Sequence, residues 1–212
     1  MIIPSYNVAD TIGCIVEDTK KQSIDVLVVD DGSVDYTFDV ARKNGAIVLK
    51  NITNQGKGAS LCLGFDYALS KGYEQVITMD GDGQHSPADI PVFLEAVEAD
   101  KEADIVVGNR MGCPAAMPLV RRITNVIMSK VISRICHQDI PDTQNGFRLI
   151  RSSCLKALKL ECRRFEIESE IIIEAARKGF KVISVPVSSI YKSSTSYINP
   201  FIDTMRFIKF IL

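Results

Sequence analysis

Short, almost wholly apolar runs alternate with stretches of helical spacing through the first half of this chain, and that alternation sets its fold class. Residues 24–31 read IDVLVVDD, residues 46–50 form a second short run, and residues 75–80 (QVITMD) and 104–108 (DIVVG) a third and a fourth. Runs of this length, apolar at consecutive positions, belong to strands buried on both faces of a parallel sheet. Helices fit between them. Asp10 is placed to cap a helix over 11–22, and a second helix over 34–44 is closed by Gly45. Residues 58–70 carry Leu61, Phe65, Ala68 and Leu69 at helical spacing and stop before Gly72. Residues 87–100 open with Ser86 and Pro87, both suited to a helix N-terminus. The repeated strand–helix–strand order predicts an α/β domain, a mostly parallel central sheet with helices on both faces.

The second half is less regular. A long helical pattern over 119–137 carries Arg121, Arg122, Lys130 and Arg134, and another over 165–178 ends at Gly179. Residues 181–187 read as a strand interrupted by Pro186, and 199–212 as an amphipathic helix beginning at Pro200. No repeat, low-complexity stretch or linker divides the chain, so one domain is expected, with a front half of about 1–110 and a back half of about 111–212. The chain opens at Met1 already within a strand pattern and stops at Leu212 within a helical one, which suggests that residues precede and follow it. The formal net charge of −1 gives no global attraction to nucleic acid. Six scattered cysteines without a CxxC pair, beside two histidines, argue against structural zinc and suit a reducing compartment. No run of 18 or more apolar residues is present to span a membrane.

The sharpest local feature is Asp80-Gly81-Asp82-Gly83-Gln84-His85, directly after a strand run. Two carboxylates flanking one glycine at a strand end can point into one cleft, and hard oxygen ligands of that kind suit Mg²⁺ or Mn²⁺. The same letters also occur in ordinary acidic turns. An EF-hand loop is excluded, because its sixth position would be His85 and its twelfth Pro91. Gly56-Lys57-Gly58-Ala59-Ser60 fails as a Walker loop, since Gly58 stands where Ser or Thr is required, and the dinucleotide fingerprint would need glycine at Leu61.

Several segments then combine in order: Ile2-Ile3-Pro4-Ser5-Tyr6-Asn7, Val28-Val29-Asp30-Asp31-Gly32-Ser33, Asn54-Gln55-Gly56-Lys57-Gly58, Asp80 to His85, Val107-Gly108-Asn109-Arg110, Asp142-Thr143-Gln144-Asn145-Gly146-Phe147-Arg148, Phe165-Glu166 and Val185-Pro186-Val187. Together they resemble the family 2 glycosyltransferases of GT-A, Rossmann-like fold, and within them the dolichyl-phosphate mannose synthase and dolichyl-phosphate glucosyltransferase group. The resemblance covers nearly the whole chain. It implies that Pro4, Tyr6, Asn7, Asp30, Asp31, Lys57 and Gly81 line the nucleotide-sugar site, with Asp30 accepting from the base. It implies that Asp80, Asp82 and Gln84 hold Mg²⁺ or Mn²⁺ under the diphosphate. Arg110, Arg121, Arg122 and Arg148 are implied to receive an acceptor phosphate. Val8 departs from the family's usual glutamate at that position, which puts part of the base or ribose contact in doubt.

The reaction implied is an inverting transfer of a hexose from a nucleotide-sugar to a polyprenyl phosphate. A lipid phosphate is already ionised near neutral pH and needs positioning by arginine forks rather than a base. Were the acceptor a glycan hydroxyl, a general base would be needed, and Asp142 is the first candidate, with Glu166 and Glu168 behind it. A non-catalytic sugar-nucleotide binding module and a nucleotidyltransferase are the other classes to separate. A polyprenyl acceptor implies peripheral contact with the cytoplasmic face of a membrane, and the 199–212 pattern, with Phe201, Phe207 and Phe210 beside Arg206 and Lys209, is a stretch that can either pack against the core or lie in an interface.

Overall fold

The structure, a computed structural model, describes residues 1–112 and 117–190. The helical expectation over 199–212 and Cys113 therefore lie outside the described residues. The chain runs β1 (Ile2–Ser5), α1 (Ala9–Lys20), β2 (Leu27–Asp30), α2 (Thr37–Lys43), β3 (Ile47–Lys50), α3 (Lys57–Ser70) and β4 (Gln75–Thr78). A 3₁₀ turn at Pro87–Asp89 leads into α4 (Ile90–Ala99), followed by β5 (Ala103–Asn109), α5 (Leu119–Cys136), β6 (Arg148–Arg151), α6 (Ser152–Ala157), α7 (Ile167–Arg177) and β7 (Lys181–Pro186).

The strands form a seven-stranded sheet in the order β3-β2-β1-β4-β6-β5-β7. All neighbours are parallel except β6, which runs antiparallel to both β4 and β5. Side-chain alternation along the strands builds two cores. Ile2, Leu27, Val29, Val76, Ile105 and Val107 face α3, α5 and α7, whereas Ile3, Val28, Ile77, Val106 and Leu149 face α1, α2 and α4. The sheet is thus buried on both sides, which is why its strands are apolar at consecutive positions.

Two sequence expectations shift for identifiable reasons. Helix α1 starts at Ala9, so Asp10 lies in its first turn and does not cap it. The amides at this end are met from the next unit instead: Val8 N–H donates to Thr37 Oγ1 (2.8 Å) and Ala9 N–H to Asp35 Oδ2 (3.1 Å). Strand β6 and the short α6 are additions to the expected elements, each too short to show a period in the sequence. Ser86 does open the 3₁₀ turn as expected, accepting from Ala88 N–H. Among the described residues the cysteines are free, with Cys136 and Cys154 buried and Cys14 exposed. Among the same residues no helix is long and apolar enough to cross a membrane.

Candidate active site

The strand order reverses between β1 and β4, since the chain builds outward from β1 to β2 and β3 and then returns to its other side. The crevice beyond the carboxyl ends at such a reversal is where open α/β sheets bind ligands. Here β1 and β4 share a single register pair, Ile2 with Thr78, while β1 continues beside β2 to Ser5. Pro4 has no N–H to offer on the β4 side, so the ladder stops where the crevice begins. Three segments meet there: Ser5 to Asn7, Asp30 to Ser33, and Met79 to His85.

The two aspartates after β2 have different occupations. Asp31 is buried and bonded through both oxygens: Oδ1 accepts from Asn51 Nδ2 (2.7 Å) and Gln55 N–H (2.9 Å), and Oδ2 accepts from Gly56 N–H (2.8 Å). It anchors the loop that delivers Lys57, so its carboxylate is engaged chiefly within the protein. Asp30 Oδ1 accepts from Ser33 N–H (2.9 Å), whereas its buried Oδ2 has no hydrogen-bond donor, the Lys50 ammonium lying 3.6 Å away. Asn7 also serves the loops. It sits at φ +52°, a conformation that asparagine tolerates, and its Oδ1 accepts from Val34 N–H (3.0 Å) while its own N–H donates to Ser33 Oγ (2.9 Å). Pro4 and Tyr6 are half-buried at the crevice edge, and Val8 packs beside Gly81. Asp31→Ala is expected to lower stability by about 2 kcal/mol, because the buried Gly56 N–H and the part-buried Asn51 and Gln55 donors lose their shared acceptor. Urea denaturation reads this directly, and an unshifted midpoint would remove the anchoring role.

Above β4 lies a chain of alternating charges. Lys57, at the start of α3, places Nζ 2.5 Å from Asp80 Oδ1 and 2.7 Å from Glu168 Oε1, and Arg148 Nη2 lies 2.9 Å from Glu168 Oε2. Burial works against the Lys57 charge, but the two carboxylates outweigh it and hold the ammonium above the ordinary lysine range. Burial likewise opposes ionisation of Asp80, yet Lys57, His85 and Arg110 bring its carboxyl down to about 2. Asp82, at the exposed lip, goes the other way: burial of the loop and the charge of Asp80 raise it, against the pull of Gln84 N–H, Lys57 and Arg121. Gly146 closes over this centre so tightly that a Cβ there would stand 2.7 Å from Lys57 Nζ and 2.9 Å from Asp80 Oδ2.

This donor set fits a hard divalent cation. Two neighbouring carboxylates raise each other's energy, and a cation between them relieves it. Among the described residues no three His, Cys, Asp or Glu side chains converge as a protein-built cage, so an ion held by Asp80 and Asp82 would draw on substrate oxygens. Gln84 is tied to the pair through its backbone, its N–H donating to Asp82 Oδ1 (2.9 Å) and its carbonyl accepting from Ile190 N–H (2.9 Å). His85 is buried, 4.0 Å from Asp80 Oδ2 and tilted against Phe147. Burial pushes its imidazole down to about 4, which leaves it neutral at neutral pH.

The arginines separate into three kinds. Arg110, just past β5, grips the fully buried Asp142 as a fork, Nε to Oδ2 at 2.8 Å and Nη2 to Oδ1 at 3.0 Å, while its N–H donates to the same Oδ2. Asp142, first choice for a general base, is therefore the residue that orients Arg110. Arg148 is fully buried and turned inward, donating to the carbonyls of Asn145 (2.7 Å), Glu168 (2.7 Å) and Thr143 (2.9 Å). This corrects its assignment to an acceptor phosphate. On α5, Arg121 is half-buried and within electrostatic reach of Asp82, while Arg122 points to solvent. Glu168, a reserve candidate for a general base behind Asp142 in the sequence, links Lys57 and Arg148.

The sequence profile of glycosyl transferase family 2 matches residues 1–159. The UDP-N-acetylglucosamine–dolichyl-phosphate N-acetylglucosaminyltransferase of Methanococcus voltae is 29% identical, over 90% of this chain and 85% of that protein. The undecaprenyl-phosphate mannosyltransferase of Micrococcus luteus is 32% identical, over 88% of this chain and 81% of that protein. Among solved structures, glucosyl-3-phosphoglycerate synthase from Mycobacterium tuberculosis, in complex with Mn²⁺, UDP and glucosyl-3-phosphoglycerate, superposes with a TM-score of 0.71 at 16% identity, covering 97% of this chain and 73% of that one. With the reversal in strand order, the acidic pair beyond β4 and the profile match over most of its length, the chain belongs to glycosyl transferase family 2 and is a glycosyltransferase of GT-A fold.

Proposed function

We propose that this enzyme transfers a hexose, with inversion, from a nucleotide-sugar to a polyprenyl phosphate at the cytoplasmic face of a membrane, with Mg²⁺ or Mn²⁺ as cofactor. The observation that carries the choice of acceptor is the Arg110–Asp142 fork. A hydroxyl acceptor needs a base, and the carboxylate best placed in the sequence to be one is instead bound through both oxygens to a guanidinium. A phosphate acceptor needs no base but does need oriented cations, and the same fork supplies one. The names of the relatives from Methanococcus voltae and Micrococcus luteus, both transferases to polyprenyl-type phosphates, favour the same acceptor class.

Placement supports the remaining roles. Pro4 and Tyr6 flank the nucleoside, and Asp30 Oδ2, which has no hydrogen-bond donor and only the Lys50 ammonium at 3.6 Å, accepts an N–H of the base. Lys57 holds Asp80 ionised and fixed in direction. A divalent cation bound by Asp80 and Asp82 would neutralise the charge that develops on the departing nucleoside diphosphate. Arg110, with Arg121 and Arg122 from α5, draws the lipid phosphate to the opposite face of the sugar. Inversion follows from a single displacement by that phosphate oxygen.

The test is product analysis with GDP-mannose, UDP-glucose and UDP-N-acetylglucosamine, each offered with one polyprenyl phosphate and Mn²⁺. A glycosyl-phosphoryl-polyprenol from at least one donor is expected. Transfer only to glycan hydroxyls would move the enzyme to the other acceptor class, and donor binding without any turnover would make it a binding module.

A further inference from the structure

Helix α5 wears its apolar side outward. Leu119, Val120, Ile123 and Ile127 are 68%, 69%, 50% and 58% exposed, and their spacing places them on one face of the helix. The face turned to the protein carries Asn125, Ser129, Ile132 and Cys136, with the Ser129 hydroxyl bonded to Thr143. Along the same helix stand Arg121, Arg122, Lys130 and Arg134, and no acidic residue, although the whole chain has a net charge of −1. Arg122, Lys130 and Arg134 are exposed with the apolar stripe. A helix face that offers isoleucine, leucine and valine, and whose only charged neighbours on the helix are cations, complements a layer with an anionic skin and an apolar interior. It does not complement a like-charged second copy of itself, where cation would face cation.

We infer that the outer face of α5 docks on an anionic membrane surface, its apolar residues entering the acyl boundary and its lysine and arginines meeting headgroups. The first turn of this helix also brings Arg121 within the field of Asp82, so docking sets the bilayer beside the crevice at which a membrane-held phosphate must arrive. The purpose of the docking rests on the lipid-acceptor reading. Binding to vesicles can be measured without donor or acceptor, so the two can fail separately.

The test compares the full chain with an Ile123→Ser/Ile127→Ser variant in co-sedimentation with phosphatidylcholine vesicles, with and without phosphatidylglycerol. Wild type is expected to sediment with the anionic vesicles and to be released by salt. The variant is expected to bind them about tenfold more weakly or worse, since two large side chains no longer enter the layer. Its Tm and its turnover of a short-chain, water-soluble prenyl phosphate should match wild type. Equal vesicle binding by both proteins overturns the inference. So does a clear fall in Tm, which would mean that residues 191–212 of the chain itself cover this face, or a wild-type dimer that the variant dissolves. If vesicle binding behaves as expected but no prenyl phosphate of any length is glycosylated, the docking surface stands and the acceptor reading falls.

Discussion

Asp80→Asn is expected to cut transfer by about three orders of magnitude or more while leaving the fold in place. The substitution preserves shape, so Gly146 still closes over the side chain and Lys57 still has Glu168 as a partner at 2.7 Å. What disappears is the charge. Asp80 is held ionised below the ordinary carboxylate range, against burial, with Lys57 the largest favourable influence, and a carboxylate kept charged at this strand end is suited to holding a cation. An amide in its place gives a divalent cation a weak, neutral ligand and leaves the leaving diphosphate without compensation. Asp82→Asn removes a more exposed carboxylate and should cost less. Initial rates with a nucleotide-sugar, together with Mn²⁺ binding followed by the ion's electron paramagnetic resonance, give two readouts. Wild-type turnover or wild-type Mn²⁺ affinity in Asp80→Asn would remove the acidic pair from the mechanism.

Much of this site could be placed from the chain alone because its parts are local. The strands from β1 to β5 are continuous β-branched or apolar stretches, and the acidic pair follows β4 directly, so strand end and chemistry are read in one segment. The parts that escaped depend on residues far apart in sequence. Strand β6 is four residues, Arg-Leu-Ile-Arg, and arginine at both ends disguises a segment sandwiched antiparallel between β4 and β5. Asp30 and Asp31 have equal claims by pattern; only the fold of the 51–56 loop onto Asp31 distinguishes the anchor from the carboxylate left with an open oxygen. The start of α1 is hidden from the sequence for the same reason, since the groups that satisfy its amides belong to Asp35 and Thr37.

Arg148 is the sharpest instance, because its sequence setting and its structural setting predict opposite phenotypes. As a phosphate ligand, Arg148→Met would fold normally and lose affinity for the lipid acceptor. As the structure has it, the guanidinium is fully buried, and it is burial that lowers its pKa, with Glu168 opposing. Its removal leaves the carbonyls of Thr143, Asn145 and Glu168 and one side of the Glu168 carboxylate without their donor. Breaking one side of a buried ion pair costs about 3–5 kcal/mol, more than any net gain the pair offers over an apolar replacement. Arg148→Met is therefore expected to shift the urea midpoint far below that of wild type, with activity lost alongside structure. Pairing it with Glu168→Gln should restore part of the loss, since the excess negative charge that Asp80 and Glu168 leave around Lys57 goes with it. A single variant that unfolds with wild type and fails only in its use of polyprenyl phosphate would return Arg148 to the acceptor site and show that the guanidinium turns outward when substrate binds.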